Sequence, residues 1–290
     1  MKHLMVIAVF LGFLGTQCAK AQKEEFKENI KKELSFSGDA TDRTLVVRNI
    51  NGSISVEGYE GTTVMLEVER IIRARSSKQL ALGKSEITLE TLVEGDEIVA
   101  RVKGPCINWG GHEGFRFQNC NCDREFGYDF TFNFKVKIPY STNLSVNTIN
   151  DGEVQIRNTK GSFIKAGNIN GGIDLENVTG QTEVNAINGE VNISYAANPT
   201  GPSTYYSLNG DITITYQRNL SAAIAFKSMN GELFTDFDIA KQYARTSKTE
   251  SAKGDRPKYK FESRPIVQIG KGELAHDFET LNGNVIIKKI

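Results

Sequence analysis

Three cysteines and a histidine fall within one glycine-rich stretch, where they could form either a disulfide or a metal site. The residues are Cys106, His112, Cys120 and Cys122. Three thiolates and an imidazole are a ligand set of structural zinc sites. The Cys-x-Cys spacing of the last pair, however, differs from the Cys-x-x-Cys of common zinc motifs. A disulfide from Cys106 to Cys120 or Cys122 is the preferred interpretation for an exported chain, and the four-residue metal site is its alternative.

Aromatic side chains in the same stretch, residues 103–128, could contact a partner. They are Trp109, Phe115, Phe117 and Tyr128, and Trp109 is the only tryptophan in the chain. We therefore predict that this excursion is a long loop that presents these four side chains to a binding partner.

Residues that could carry catalysis are sparse elsewhere. His112 and His276 are the two histidines beyond the leader, and neither lies in a metalloprotease or hydrolase motif. Acidic residues recur after turns at Glu153, Glu190, Asp211 and Glu232. Stacked in a column they could bind a cation or a sugar, although a solvated polar face is the commoner arrangement. We predict no catalytic residue and no cofactor.

An apolar residue followed by Asn and Gly recurs seven times. This repeat indicates the strands and turns that must position the residues described above. The turn residues are Asn51 and Gly52, Asn150 and Gly152, Asn170 and Gly171, Asn188 and Gly189, Asn209 and Gly210, Asn230 and Gly231, and Asn282 and Gly283. From Asn150 to Asn230 the asparagines are 20, 18, 21 and 21 residues apart. Such regular self-similarity indicates stacked repeats. We predict a structural role for these residues, with the asparagines forming a hydrogen-bonded ladder along one corner.

Asn-Gly is also a strong hairpin signal, so an antiparallel meander is the alternative to a solenoid. In a hairpin about Asn188-Gly189, Ile187 would share a face with Glu190 and would point away from the core. Read as the bend of a solenoid, the same sequence places Ile187 and its six equivalents inside, where the strand turns a corner. We therefore favour an all-β fold, a parallel β-helix-like solenoid with repeats of about 20 residues. Looser N-terminal strands and one short helix at residues 76–83 complete it.

The chain begins with features of a signal peptide. A short positive start precedes an apolar run at residues 4–14, and residues 19–21 supply the small side chains of a cleavage site. Cys18 would be the lipidated residue of a lipoprotein, but Gln17 stands where a small residue is usual, so this is the minor alternative. We predict export to the periplasm, the cell surface or the medium. No later stretch is long and apolar enough for a transmembrane helix.

Composition excludes one class of partner and leaves others open. The chain has 35 basic and 35 acidic residues, with 39% hydrophobic residues and 27 glycines. A balanced charge is not that of a typical nucleic-acid-binding protein. The predicted organisation is a leader at 1–21, an N-terminal β region at 22–140 with the loop 103–128, and the repeat solenoid at 141–290 with a polar loop at 241–260. Residues 22–290 could equally form one continuous domain.

The Asn-Gly units also carry a family resemblance. The segments at 134–150, 50–59 and 281–287, with the repeats between them, are similar to those of the bacterial putative-adhesin family of exported β-solenoid proteins. That family is related to the head-domain adhesin group named for a Gly-Ile-Asn motif. The resemblance implies a non-enzymatic envelope or surface protein that binds an envelope, matrix or glycan partner. The alternative is a lyase or hydrolase that acts on polysaccharide from the face of a β-helix.

Overall fold

The computed structural model of the chain describes residues 23–38, 42–109, 126–252 and 257–290. These residues form 21 strands and one α-helix. The N-terminal elements are β1 (Glu24–Leu34), β2 (Thr44–Arg48), β3 (Ile54–Tyr59), β4 (Val64–Ala74), α1 (Ser77–Glu86), β5 (Thr88–Glu94), β6 (Glu97–Lys103) and β7 (Tyr128–Pro139). The middle strands are β8 (Asn143–Thr148), β9 (Val154–Arg157), β10 (Phe163–Asn170), β11 (Ile173–Val178), β12 (Gln181–Asn188), β13 (Val191–Tyr195), β14 (Ser203–Asn209) and β15 (Ile212–Tyr216). The last strands are β16 (Ala222–Lys227), β17 (Leu233–Thr235), β18 (Ile239–Ala252), β19 (Pro257–Ile269), β20 (Leu274–Asn282) and β21 (Val285–Lys289).

The strands form two large, mostly parallel sheets. The ten-stranded sheet has the order β1-β4-β7-β3-β9-β11-β13-β15-β21-β17. The eleven-stranded sheet has the order β18-β19-β16-β20-β14-β12-β10-β8-β2-β6-β5. Successive repeat strands alternate between the sheets, so each winding contributes one strand to each. The predicted all-β, solenoid-like architecture is confirmed, and the antiparallel meander is excluded for the repeat strands.

The core lies between the two sheets and is built by alternation within each strand. In β13 and β15 the inward residues Val191, Ile193, Ile212 and Ile214 are all buried, and the side chains between them face outward. The parallel register places Val191 beside Ile212 and Ile193 beside Ile214. Each fully buried Val or Ile contributes about 1.5–3 kcal/mol to stability. A period of two in the sequence thus becomes stacked rows of aliphatic side chains.

The order of the windings in space differs from their order in the sequence. The last winding, β20 with β21, lies between the β14–β15 winding and the β16–β17 winding. At the other end, β2 and β3 lie between the β6–β7 pair and the β8–β9 winding. The C-terminal residues therefore occupy an interior position in the stack.

The helix is longer than predicted. Ser76 caps its N-terminus, where its hydroxyl accepts a hydrogen bond from the Gln79 amide, and the helix continues past Gly83 to Glu86. The expectation that it ends at Gly83 is wrong. A Cβ at Gly83 would lie 2.8 Å from Ile72 Cγ2 and 2.9 Å from Tyr128 Cγ. Glycine is therefore required for close packing of the helix on β4 and β7.

The predicted polar loop at 241–260 is also wrong. This segment belongs to an antiparallel hairpin in which Ile239–Ala252 pairs with Pro257–Ile269. Residues 238–246 are all exposed, so no core face imposes an apolar alternation on the sequence. Cross-strand backbone hydrogen bonds define the two strands instead.

Candidate functional site

One corner of the solenoid carries a continuous ladder of seven asparagine side chains. In six of them Nδ2 donates to the Oδ1 of the asparagine in the preceding winding of the stack, and in the first, Asn51, it donates to the Phe130 carbonyl oxygen at 3.1 Å. The donor–acceptor pairs are Asn150 to Asn51 (3.1 Å), Asn170 to Asn150 (2.7 Å), Asn188 to Asn170 (2.9 Å), Asn209 to Asn188 (2.9 Å), Asn282 to Asn209 (2.8 Å) and Asn230 to Asn282 (2.8 Å). Because an amide has two N–H donors and two lone pairs, each asparagine keeps hydrogen-bonding capacity for solvent or a ligand.

A column of glycines follows the ladder for a steric reason. A Cβ at Gly171 would overlap the carbonyl oxygen of Gly152, and a Cβ at Gly189 would overlap that of Gly171. Gly210 stands in the same relation to Gly189. Stacked backbones approach so closely at this corner that only glycine fits.

Two adjacent glycines provide a direct test of this explanation. Gly171→Ala is expected to lower the free energy of unfolding by about 3 kcal/mol, since the new methyl group must displace backbone. Gly172→Ala is the matched control, because its Cβ would meet only the Glu190 carbonyl oxygen at 3.4 Å. The control is expected to be neutral or to stabilise by about 0.4–1 kcal/mol. Urea unfolding of both variants gives the comparison, and equal losses would contradict the steric account.

The aliphatic residues before the seven asparagines lie one above another, and all but the buried Ile149 are half-buried or exposed on the outside of the solenoid. These residues form an aliphatic column, which consists in spatial order of Ile50, Ile149, Ile169, Ile187, Leu208, Leu281 and Met229. Met229 is 76% exposed and Ile169 is 37% exposed, whereas Ile149 is only 8% exposed. At the usual strand spacing of about 4.8 Å, the column is about 29 Å long.

The prediction that these seven residues point into the core is therefore wrong for all but Ile149, which is buried. The inward residue is the one before, as at Ala186 and Ser207, which are both fully buried. Strand alternation continues unchanged up to the asparagine, and the change of phase occurs at the glycine and the residue after it. The sequence does not distinguish a change of strand phase before the asparagine from a change after it, because both arrangements place an apolar residue near the corner.

The acidic residues after the turns do not converge. Backbone hydrogen bonds place Glu190 next to Asp211, but Gly172 separates Glu190 from Glu153. The Asp211 carboxylate accepts a hydrogen bond from the Asn284 amide at 2.7 Å, so it satisfies backbone of the neighbouring winding. Within the described ranges, no group of three His, Cys, Asp or Glu side chains is arranged to hold a metal ion.

His276 lies in the interior, in a cluster of aromatic rings. It is 0% exposed and stacks on Tyr216, with ring centroids 5.6 Å apart and an interplanar angle of 10°. The hydroxyls of Tyr195, Tyr205 and Tyr216 form a buried chain with oxygen–oxygen distances of 2.7 and 3.0 Å. Neither ring nitrogen of His276 has a hydrogen-bond partner among the described residues. Burial lowers the pKa of His276 to about 4 and raises the pKa of each of the three tyrosines.

Only part of the cysteine-bearing excursion is described. Cys106 is disulfide-bonded, and its partner lies outside the described residues, as do His112, Phe115, Phe117, Cys120 and Cys122. The Trp109 indole N–H donates to the Val102 carbonyl oxygen at 2.7 Å, and the ring is half-buried. The choice between Cys120 and Cys122 stays a prediction.

Tyr128 does not belong to a binding surface, contrary to expectation. It is 7% exposed, and its hydroxyl donates to Glu86 Oε2 at 2.6 Å. The ring packs against Gly83 of the helix and lies 5.6 Å from the Phe126 ring. The signal was present in the sequence, because Tyr128 has the same parity along β7 as the buried residues Phe132 and Phe134.

Comparison with known proteins places this architecture in a family. The model of the family Toastrack DUF4097 matches residues 23–262. The chain belongs to this family. The Toastrack fold is β-solenoid-like, in agreement with the two stacked sheets, and the match supports the predicted resemblance to putative adhesins. The match does not support the predicted relation to the head-domain adhesin group named for a Gly-Ile-Asn motif.

Two solved structures resemble this Toastrack chain distantly. A putative cell adhesion protein from Clostridium sporogenes ATCC 15579 is 11% identical, with 91% of this chain and 100% of that chain covered and a TM-score of 0.40. A putative adhesin from Bacteroides fragilis NCTC 9343 is 10% identical, with 91% and 97% covered and a TM-score of 0.36. No curated protein matches the chain. Among the described residues, no helix has the length and apolar character needed to span a membrane.

Proposed function

We propose that this Toastrack protein is exported and acts at the cell envelope or surface as a non-enzymatic, adhesin-like binding scaffold. The observation that carries the proposal is the aliphatic column beside the asparagine ladder. Contiguous apolar side chains on an outer surface are a feature of interaction sites. Here they stand next to a row of amides that can still donate and accept hydrogen bonds.

The scaffold holds this strip in a fixed geometry. The glycine column and the ladder both set the spacing of the windings, and the aliphatic rows of the core lock the two sheets together. A preformed surface loses little conformational entropy on binding, which favours a partner that is itself extended or repetitive. Envelope, matrix and glycan polymers are partners of this kind.

Two features support the proposed export. The leader predicted at residues 1–21 has the composition of a signal peptide, and Cys106 is disulfide-bonded. Disulfides persist in oxidising compartments such as the periplasm and the cell surface. The proposal includes kinship with the head-domain adhesin group named for Gly-Ile-Asn, on the basis of the recurring Ile-Asn-Gly triplets.

A double substitution in the aliphatic column tests the proposal. Ile187→Thr with Leu208→Thr removes two neighbouring, half-buried aliphatic side chains and keeps residues suited to a strand. Binding of the purified mature protein to whole bacterial cells and to immobilised envelope glycans is expected to weaken by about tenfold or more. Asn192→Thr with Ser194→Thr, on the outer face of the other sheet, is the control and is expected to bind normally.

Thermal unfolding of both variants ensures that folded proteins are compared. Undiminished binding by the column variant would contradict the proposed surface. Release of reducing ends from acidic or neutral polysaccharides by the purified protein would contradict the non-enzymatic assignment and favour the hydrolase or lyase alternative.

A further inference from the structure

We propose that the hairpin formed by β18 and β19, here called the basic arm, binds a linear acidic polysaccharide. The proposal rests on the proposed function, since an exported protein meets such polymers. The two strands carry six Lys or Arg residues and two Glu residues, whereas the whole chain has equal numbers of basic and acidic residues. The two strands therefore have a net formal charge of +4, and the rest of the chain has −4.

Residues 239–246 of the basic arm are exposed. Only Ile266–Ile269 of β19 pairs with β16, and the rest of the strand pairs with β18 alone. β18 is the outermost strand of its sheet, and Lys241, Gln242, Tyr243, Ala244 and Arg245 are exposed. An extended polymer could reach this strand from its edge and from its face.

Two arginines face one another across the arm. Arg245 and Arg264 are direct partners in the antiparallel register. Like charges at directly opposed positions destabilise a strand pair. Arg264 is compensated by Asp277, at 2.9 and 3.1 Å, and by Glu279, at 3.3 Å. Arg245 makes no ion pair within the described part of the chain, so an external anion would relieve the repulsion.

The residues beside Arg245 favour a sugar polymer over other polyanions. Lys241, Tyr243 and Arg245 alternate along one face, and the Lys241 ammonium lies 5.5 Å from the centroid of the Tyr243 ring. Tyr243 is 40% exposed and offers a flat apolar surface to a sugar ring, while the Arg guanidinium can pair bidentately with a carboxylate or sulfate. Insertion into a membrane would require several exposed aliphatic residues along the arm, and among residues 239–246 Ile239, at 52% exposure, is the one larger than alanine.

Basic residues on an edge strand also prevent edge-to-edge aggregation. That role requires charge at the outer edge, and it does not require two arginines opposed within one hairpin. The opposed pair is the feature that indicates a ligand.

Binding of the full mature protein to polygalacturonate and to heparin tests the proposal, with neutral dextran as the negative control. Lys241→Gln with Arg245→Gln is expected to weaken binding to both acidic polymers by about tenfold or more and to reduce its dependence on salt. Lys165→Gln with Arg157→Gln is the matched control, because it removes one Lys and one Arg that are already paired with Glu183 and Glu176. The control is expected to bind within about twofold of the wild type.

Equal weakening by the two double variants would overturn the proposal, because it would show an effect of total charge. Tighter binding to double-stranded DNA or to phosphatidylglycerol vesicles than to either polysaccharide would also overturn it. Replacement of residues 244–265 by Asn-Gly gives a second variant that joins the paired residues Tyr243 and Ile266 through a short turn, and it is expected to abolish polysaccharide binding. Cell binding that is lost only in the aliphatic-column variant, with polysaccharide binding intact, separates this proposal from the proposed function.

Discussion

Removal of residues 274–290 is expected to unfold the C-terminal half of the solenoid and not simply to shorten it. These residues form the β20–β21 winding, which lies between two other windings. Its side chains Phe278, Val285 and Ile287 are fully buried, and their loss alone would cost about 5–9 kcal/mol. A domain of this kind has a total stability of about 5–15 kcal/mol. The gap would also deprive β14 and β16 of their shared neighbour.

Circular dichroism and hydrogen exchange of the purified variant would measure this loss. The Asn-Gly replacement of residues 244–265 is the control, because it removes a longer segment from the end of the stack and leaves the buried residues Ile266, Val267 and Ile269 in place. The control is expected to retain cooperative unfolding with a similar midpoint. A truncated chain that unfolds at the midpoint of the wild type would contradict the assigned order of windings.

Acidification from pH 7 to pH 4 is expected to destabilise the protein by about 3 kcal/mol through His276 alone. In the folded protein burial lowers its pKa to about 4, whereas in the unfolded chain it is about 6.5. Between these values the unfolded chain binds a proton that the folded protein excludes. The contribution of His276 to the free energy of unfolding is therefore fully present above about pH 6.5. It falls as the pH decreases and changes little below pH 4.

The neighbours of His276 explain why the proton is excluded. Tyr216 stacks on the imidazole, Tyr205 meets it edge-on at 6.4 Å, and none of the rings in this cluster carries a negative charge at these pH values. His276→Phe keeps an aromatic ring and removes the titrating group. Urea unfolding at several pH values is expected to show a shallower acid loss for this variant.

A control variant isolates the histidine within the cluster. Tyr195→Phe removes one hydroxyl of the buried tyrosine chain and keeps the imidazole, so it should retain the acid loss of the wild type. An identical pH dependence in the His276→Phe variant and the wild type would show that other groups cause the acid sensitivity.

The sequence predicted the features of the fold that depend on local chemistry. Asn-Gly pairs and a period of two within strands are properties of a few neighbouring residues, so the repeat strands and the corner could be located. The position of the β20–β21 winding in the stack could not be predicted, because nothing within residues 274–290 indicates which strands will flank it. The end of the helix was missed for a similar reason, since the requirement for Gly83 comes from Ile72 and Tyr128.

The candidate surfaces were predicted unevenly. The asparagines were recognised from their recurrence, and their ladder follows from parallel stacking in register. The aliphatic column was assigned to the wrong side, because hydrophobicity alone does not show on which side of the corner the phase changes. The basic arm was taken for a loop, because an exposed ribbon lacks the apolar alternation by which strands are recognised.

The interior position of the β20–β21 winding has a consequence for folding. The stack cannot form one winding at a time in the order of the chain, because the slot beside β14 must stay open until residues 274–290 are in place. These residues thereby close this part of the structure. We expect cooperative folding of the C-terminal windings to wait for residues 274–290.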